Sequence, residues 1–199
     1  MHRRAFLIAA SLSAPALMLP LGRALAALPD QRAQAALRRG AAVVYVRHGA
    51  TTWSGVDQIE WPRDRQRLLS DLGQAQARNL GAAFTAQGWP VGDVLASPFA
   101  RCVDMAQLAF GRVEPDPMLL GLLSQGEGTG ERRAYSVRLV NTPPTNGNRV
   151  MVGHSSSISA ATGASLREGG AAVMLPGEAG AELLATLTPE DIASLAGRR

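Results

Sequence analysis

The chain contains no lysine: all twenty of its basic residues are arginine. That excludes Schiff-base chemistry and a Walker-type phosphate loop, both of which need a lysine amine. There is one cysteine, Cys102, so no internal disulfide can form. Histidine is scarce, with only His2, His48 and His154. No cluster combines histidines and carboxylates at metal-ligand spacing, so the sequence implies no metal and no cofactor. Internal repeats are absent, as is any stripe of aromatic and basic residues on which bases could stack.

With 46% hydrophobic and 18% charged residues in 199, the chain has material for one well-filled domain and is short for two. The opening "MHRRAFLIAASLSAPALMLPLGRALAALP" has the three parts of an export signal. Arg3 and Arg4 form a charged start, Ala5 to Leu21 an apolar stretch, and Ala24-Leu25-Ala26 a small-x-small cleavage site. "RRAFL" resembles the twin-arginine motif of proteins that fold before export. The alternative is a retained anchor, but Pro15 and Pro20 interrupt the apolar stretch and a cleavage site follows it. The expectation is a signal over residues 1–26 and a domain over 27–199, periplasmic or secreted, with no stable membrane insertion once the signal is removed. Removal takes away Arg3, Arg4 and Arg23 and no acid, which lowers the net charge from +4 to +1. Nucleic acid is not an expected partner.

Apolar periodicity and punctuation predict an alternation of strands and helices. "PDQRAQAALRRG" reads as a helix closed by Gly40, and "AAVVYV" as a strand, continuously apolar as when both faces are covered. Gly49 to Leu69 has no periodicity and reads as a surface loop. A helix follows from the Ser70 cap to Gly88, then the strand "DVLAS", a helix over "PFARCVDMAQLAFG" with Pro98 in its first turn, and the short strand "RVEP". Residues 116 to 130 are loop-like. "ERRAYSVRLVN" is helical, "RVMVG" a strand and "SSSISAATGAS" a short helix. "AAVMLP" with "AELLATL" makes a hairpin, and "TPEDIASLAG" a capped closing helix. The fold class expected is α/β: a single domain with a largely parallel central sheet and helices on both faces.

In such sheets the site lies beyond the carboxyl ends of the strands. The first strand ends at Arg47-His48, the second leads through Ser97-Pro98 to Arg101, and "RVMVG" ends at His154. Three separate segments deliver two arginines and two histidines to one edge of the sheet. Arginine forks onto phosphate oxygens and keeps its proton. The helix start after Pro98 is expected to add backbone N–H groups. An imidazole with one nitrogen held by a backbone carbonyl offers the other as a nucleophile towards phosphorus.

"VRHGAT", "LASPFARCVDMAQLAFG" and "VMVGHSSSI", in that order, resemble the histidine phosphatase (phosphoglycerate-mutase-like) superfamily from about Ala42 to the C-terminus. The resemblance implies His48 as a phosphohistidine nucleophile, with Arg47, Arg101 and His154 completing the phosphate pocket. Ser155 follows His154, so the "HD" pair of the acid-phosphatase branch is missing, as is that branch's cap domain. No clear counterpart of the mutase branch's acidic proton donor is present. Glu127 is the choice, ahead of Glu131 in "LLSQGEGTGE" and of Asp57, Glu60 and Asp64 in the first loop. The chain is similar to small, cap-poor members, among them exported enzymes acting on phosphorylated cell-envelope sugars. A small phosphorylated substrate is therefore the expected partner.

Other chemistries fit less well. A cysteine phosphatase needs an arginine six positions after its cysteine, where Leu108 stands, so Cys102 reads as packing. "GHSSS" departs from the serine-hydrolase elbow at Ser157, and no histidine follows His154 to serve as base. Trp53 and Trp61 suit a substrate-stacking wall or a hydrophobic lid. The expected activity is phosphomonoester hydrolysis. The alternatives are a non-catalytic phosphate or phosphosugar binder and, third, a phosphomutase.

Overall fold

The apolar run before His48 forms strand β1, Val43–Arg47, near the middle of a six-stranded sheet. The structure is a computed structural model and describes residues 30–122 and 128–197. The other strands are β2 Val91–Ala96, β3 Glu114–Pro115, β4 Asn148–Gly153, β5 Ala171–Leu175 and β6 Glu182–Leu187. They lie in the order β3-β2-β4-β1-β5-β6. The pairs β3-β2, β2-β4 and β4-β1 are parallel, and β5 runs antiparallel to both β1 and β6. The α/β class with a mostly parallel sheet is thus present, and the expected terminal hairpin forms its antiparallel side.

The continuous apolarity of β1 follows from two cores. Val44 and Val46 pack with Leu37 of α1 (Gln31–Arg38), Phe84 of α2 (Asp71–Gln87), Met105 of α3 (Ala100–Phe110) and Ile192 of α6 (Pro189–Ala196). Val43 and Tyr45 face the other way, onto Val140 of α4 (Thr129–Asn141) and Ile158 of α5 (Ser155–Thr162). Alternate side chains of a strand point to opposite faces, so a strand covered on both sides must be apolar at every position. Fully burying one such aliphatic side chain contributes roughly 1.5–3 kcal/mol, and the strand is anchored from both sides.

Buried Asn148 ties the start of this arrangement together. Its amide oxygen accepts from the Ala42 N–H at 3.0 Å, and its NH₂ donates to the Leu37 and Pro90 carbonyls at 2.7 and 2.8 Å. Two glycines bring helices to backbone contact. A Cβ on Gly81 would lie 2.0 Å from the Ala109 carbonyl oxygen, so α2 meets α3 there. One on Gly73 would lie 2.1 Å from that of Ala50, which presses the segment after His48 onto the start of α2.

Local boundaries differ from the sequence reading where capping and proline decide them. Phe99 is the N-cap of α3, so Pro98 precedes the helix instead of lying in its first turn. Strand β3 has only two residues, and Pro115, without an N–H, limits its ladder. Residues 49–69 are irregular as expected, apart from a single 3₁₀ turn at Arg63–Arg65 and a bridge between Thr51 and Leu69. The expected signal lies outside the described residues.

Candidate active site

Register brings the two histidines together. Arg47 of β1 pairs with Gly153 of β4, so His48 and His154 leave the sheet side by side. The His48 N–H donates to the Gly153 carbonyl at 3.0 Å, and the Gly169 N–H donates to the His48 carbonyl at 3.0 Å. The nucleophile candidate is therefore fixed from both neighbouring segments. The two imidazole rings lie 5.6 Å apart.

Arg47, His48, Arg101 and His154 line one cavity of about 220 Å³, together with Asp57, Arg67, Val56, Ser155 and Ser156. Nδ1 of His48 lies 2.9 Å from the Gly49 carbonyl oxygen, which can only accept, so Nδ1 carries the proton and Nε2 keeps its lone pair. Burial pushes the His48 imidazole down to about 3, helped by Arg101, Arg47 and Arg67 and opposed by the Gly49 hydrogen bond. Burial likewise holds His154 well below the usual imidazole range, with Arg101 and His48 adding to the effect. Both rings are neutral at neutral pH, as a nitrogen nucleophile requires.

His154 is held differently. Nδ1 faces Arg101 Nη2 at 3.4 Å, and the guanidinium can only donate. Nε2 then carries the proton and donates to Ser97 Oγ at 2.8 Å. Phe99 packs against both groups. The Arg101 guanidinium lies 4.3 Å over its ring centre, and its edge-to-face contact with His154 spans 5.4 Å. Neither role of Phe99 carried a signal in the sequence.

The arginines are held by hydrogen bonds and ion pairs to the surrounding segments. Arg47 donates from Nη1 to the Leu166 carbonyl at 2.8 Å, and its Nη2 lies 3.6 Å from Glu168. Arg101 Nη1 holds both oxygens of Asp57, at 2.7 and 3.0 Å. The Nε atoms of Arg47 and Arg101 are both buried and have no hydrogen-bond partner among the described residues. Two guanidiniums lining one cavity are suited to an anion with several oxygens.

Sequence reasoning missed Arg67, and it listed Asp57 only among several acids. Arg67 binds the first loop to itself. Nε donates to the Trp53 carbonyl at 3.1 Å, Nη1 to the Gly55 carbonyl at 3.3 Å and Nη2 to Thr51 Oγ1 at 2.7 Å. Its backbone N–H donates to Asp57 Oδ2 at 2.9 Å. These contacts depend on how an aperiodic loop folds back, which no local pattern encodes.

At the start of α3, the Ala100 N–H is taken by Gln66 Oε1 at 3.0 Å, while Arg101 in the same turn lines the cavity. The start of α5 also reaches the cavity, through Ser155 and Ser156. Glu127 lies outside the described residues. Glu60, Asp64 and Glu131 do not line the cavity, and neither does Trp53 or Trp61. Cys102 is buried 3.8 Å from His154 Nε2. Burial pushes its thiol up to about 12, so it stays protonated and packs.

The model of the histidine phosphatase superfamily (branch 1) matches residues 43–120. None of the curated proteins compared with the chain is significantly similar to it. Among solved structures, the fold is similar to that of the protein histidine phosphatase SixA complexed with tungstate. That likeness has a TM-score of 0.59 and 17% identity, covering 76% of this chain and 99% of that one. An open-reading-frame product of Mycobacterium tuberculosis gives 0.57 and 17%, over 75% of this chain and 98% of its own. A protein of Thermus thermophilus gives 0.53 and 19%, over 74% and 99%. At such identities the structures speak for the fold alone. The family match includes Arg47, His48 and Arg101 but ends before His154, which β4 brings to the same cavity. Sequence match and fold agree: residues 43–120 match the model of the histidine phosphatase superfamily, and the chain shares the fold of these solved structures.

Proposed function

We propose that the protein is a phosphomonoester hydrolase that works through a phosphohistidine on His48. The observation that carries this reading is the His48 imidazole. It is neutral and buried, with Nδ1 bound to the Gly49 carbonyl and Nε2 free, and it shares one cavity with Arg47, Arg101 and His154. Nε2 attacks phosphorus as the ester oxygen leaves. Arg47 and Arg101 hold the phosphoryl oxygens while charge redistributes, and water then releases phosphate from the histidine. Because these donors are fixed before substrate arrives, little reorganisation opposes the step. Nothing in this sequence requires a metal or an organic cofactor.

The substrate class we favour is a small phosphorylated sugar or envelope metabolite, met in the periplasm or outside the cell after removal of residues 1–26. Support for the location is the N-terminal pattern of Arg3-Arg4, apolar stretch and Ala24-Leu25-Ala26. The test is turnover of an aryl phosphate and a sugar phosphate by purified protein, with trapping of acid-labile phosphate on His48. His48→Ala should abolish turnover while the protein stays folded. Undiminished turnover by that variant would refute the mechanism. Tight phosphate binding without turnover of either ester would identify a binder instead.

A further inference from the structure

Cleaving an alkyl or sugar phosphate needs a proton for the departing oxygen, and the groups already described do not supply it. His48 spends Nε2 on phosphorus and its Nδ1 proton on the Gly49 carbonyl. His154 commits its Nε2 proton to Ser97 and turns a lone pair towards Arg101. Arginine does not give up its proton. Ser155 and Ser156 are hydroxyls, and Ser156 Oγ accepts from the Leu122 N–H.

Among the described residues lining the cavity, one carboxyl group remains. Asp57 is 3% exposed and is fixed by two contacts at Oδ2, from Arg101 Nη1 at 2.7 Å and the Arg67 N–H at 2.9 Å. Oδ1 is the less committed oxygen, with only the 3.0 Å contact to Arg101 Nη1. Arg101 is also a guanidinium that a bound phosphate would use. A phosphate dianion arriving there places two anions on one buried cation. Like charges brought so close cannot both stay fully ionised, and sharing a proton relieves them.

We propose that Asp57 is the proton donor of the reaction, and that it acquires its proton when the phosphate dianion binds beside it on Arg101. This rests on the phosphohistidine reading above. The Nε2 lone pair of His48 forms the P–N bond while the P–O ester bond breaks. Its electron pair goes to the ester oxygen, which takes the proton from Asp57 Oδ1, leaving an alcohol and the Asp57 carboxylate. In the second half, a water oxygen bonds to phosphorus, the P–N pair returns to His48, and Asp57 receives the proton of the water. The groups facing Asp57 across the cavity are Arg67 from its own loop, Arg101 from α3, Arg47 and His48 from the end of β1, and His154 from the end of β4. Before substrate enters, Asp57 holds Arg101 through both oxygens, and it would act as the acid within the same contacts.

The experiment uses the whole chain and Asp57→Asn, which keeps the shape and an acceptor for Arg101 but cannot shuttle a proton. Asp57→Asn should lower kcat/KM for a sugar phosphate on the order of 10²-fold or more, as loss of a general acid does. p-Nitrophenyl phosphate, whose phenolate leaves unaided, should lose less than about tenfold. Binding of tungstate, a dianion, measured by calorimetry in buffers of different ionisation enthalpy, should take up a proton in the parent protein and not in Asp57→Asn. Equal losses on both esters would overturn the assignment and leave Asp57 only the task of positioning Arg101. Proton uptake undiminished in the variant would place the proton on a histidine and also overturn it. So would a sugar-phosphate-selective loss in Glu127→Gln with none in Asp57→Asn. Should the parent turn over neither ester yet bind tungstate with Asp57-dependent proton uptake, the hydrolase reading would fail while the proton site stood.

Discussion

The two buried histidines should make the fold sensitive to mild acid, in an amount that can be worked out. Unfolded, each imidazole titrates at its ordinary value of 6.5, whereas in the fold His48 stays neutral down to about 3 and His154 also lies well below that value. Between those limits the unfolded chain binds more protons than the native one, so stability rises with pH through the window. The contribution is complete above the unfolded value and is lost as pH falls below it. At about pH 5 an unfolded imidazole is about 1.5 pH units below its midpoint, which for His48, at 1.36 kcal/mol per unit, costs about 2 kcal/mol. His154 adds a cost in the same direction, against a typical domain stability of roughly 5–15 kcal/mol. Ordinary carboxylates titrate near 4 and contribute little above about pH 5. Urea unfolding followed by tryptophan fluorescence reads the effect directly. With a slope of about 2 kcal/mol per M, the midpoint should fall by about 1 M from His48 alone between about pH 7.5 and about pH 5, and further through His154. His48→Asn should remove about 1 M of that difference, and the double variant with His154→Asn nearly all of it. A midpoint that does not move on acidification, or one that moves equally in the double variant, would refute the argument from burial.

Two further predictions follow from the packing and from the N-terminus. Gly81→Ala drives a methyl group to 2.0 Å from the Ala109 carbonyl and must part α2 from α3, so it should cost about 3 kcal/mol or more in thermal or urea unfolding. An unchanged melting temperature would mean that the helices are not in backbone contact there. Mature protein recovered from the periplasm should begin at Ala27, and changing Arg3 and Arg4 to lysine should strand the precursor in the cytoplasm. Continued export would point to the general secretory route, and an intact Met1 on membrane-bound protein would indicate an anchor.

The alternation of strands and helices was legible in the sequence because its causes are local. Val43 to Val46 are apolar without a break, Ser70 and Thr188 supply caps, and the residues of α2 repeat at helical spacing. The convergence of Arg47, His48, Arg101 and His154 was legible for a related reason. Strand ends in a parallel sheet share one edge, so residues just past them lie on one side of the sheet, and the adjacency of β2, β4 and β1 joins them in one cavity. Only the tertiary structure decided the rest. That β5 inserts antiparallel beside β1, and that Gln66 closes the start of α3, depend on segments far apart in sequence. The Asp57–Arg101 pair joins residues 44 positions apart, through a loop whose path is set by the side chain of Arg67. The charge state of the histidines is also tertiary. An imidazole is named by the sequence, but burial against three guanidiniums makes it neutral, and one backbone carbonyl chooses which nitrogen is free to react.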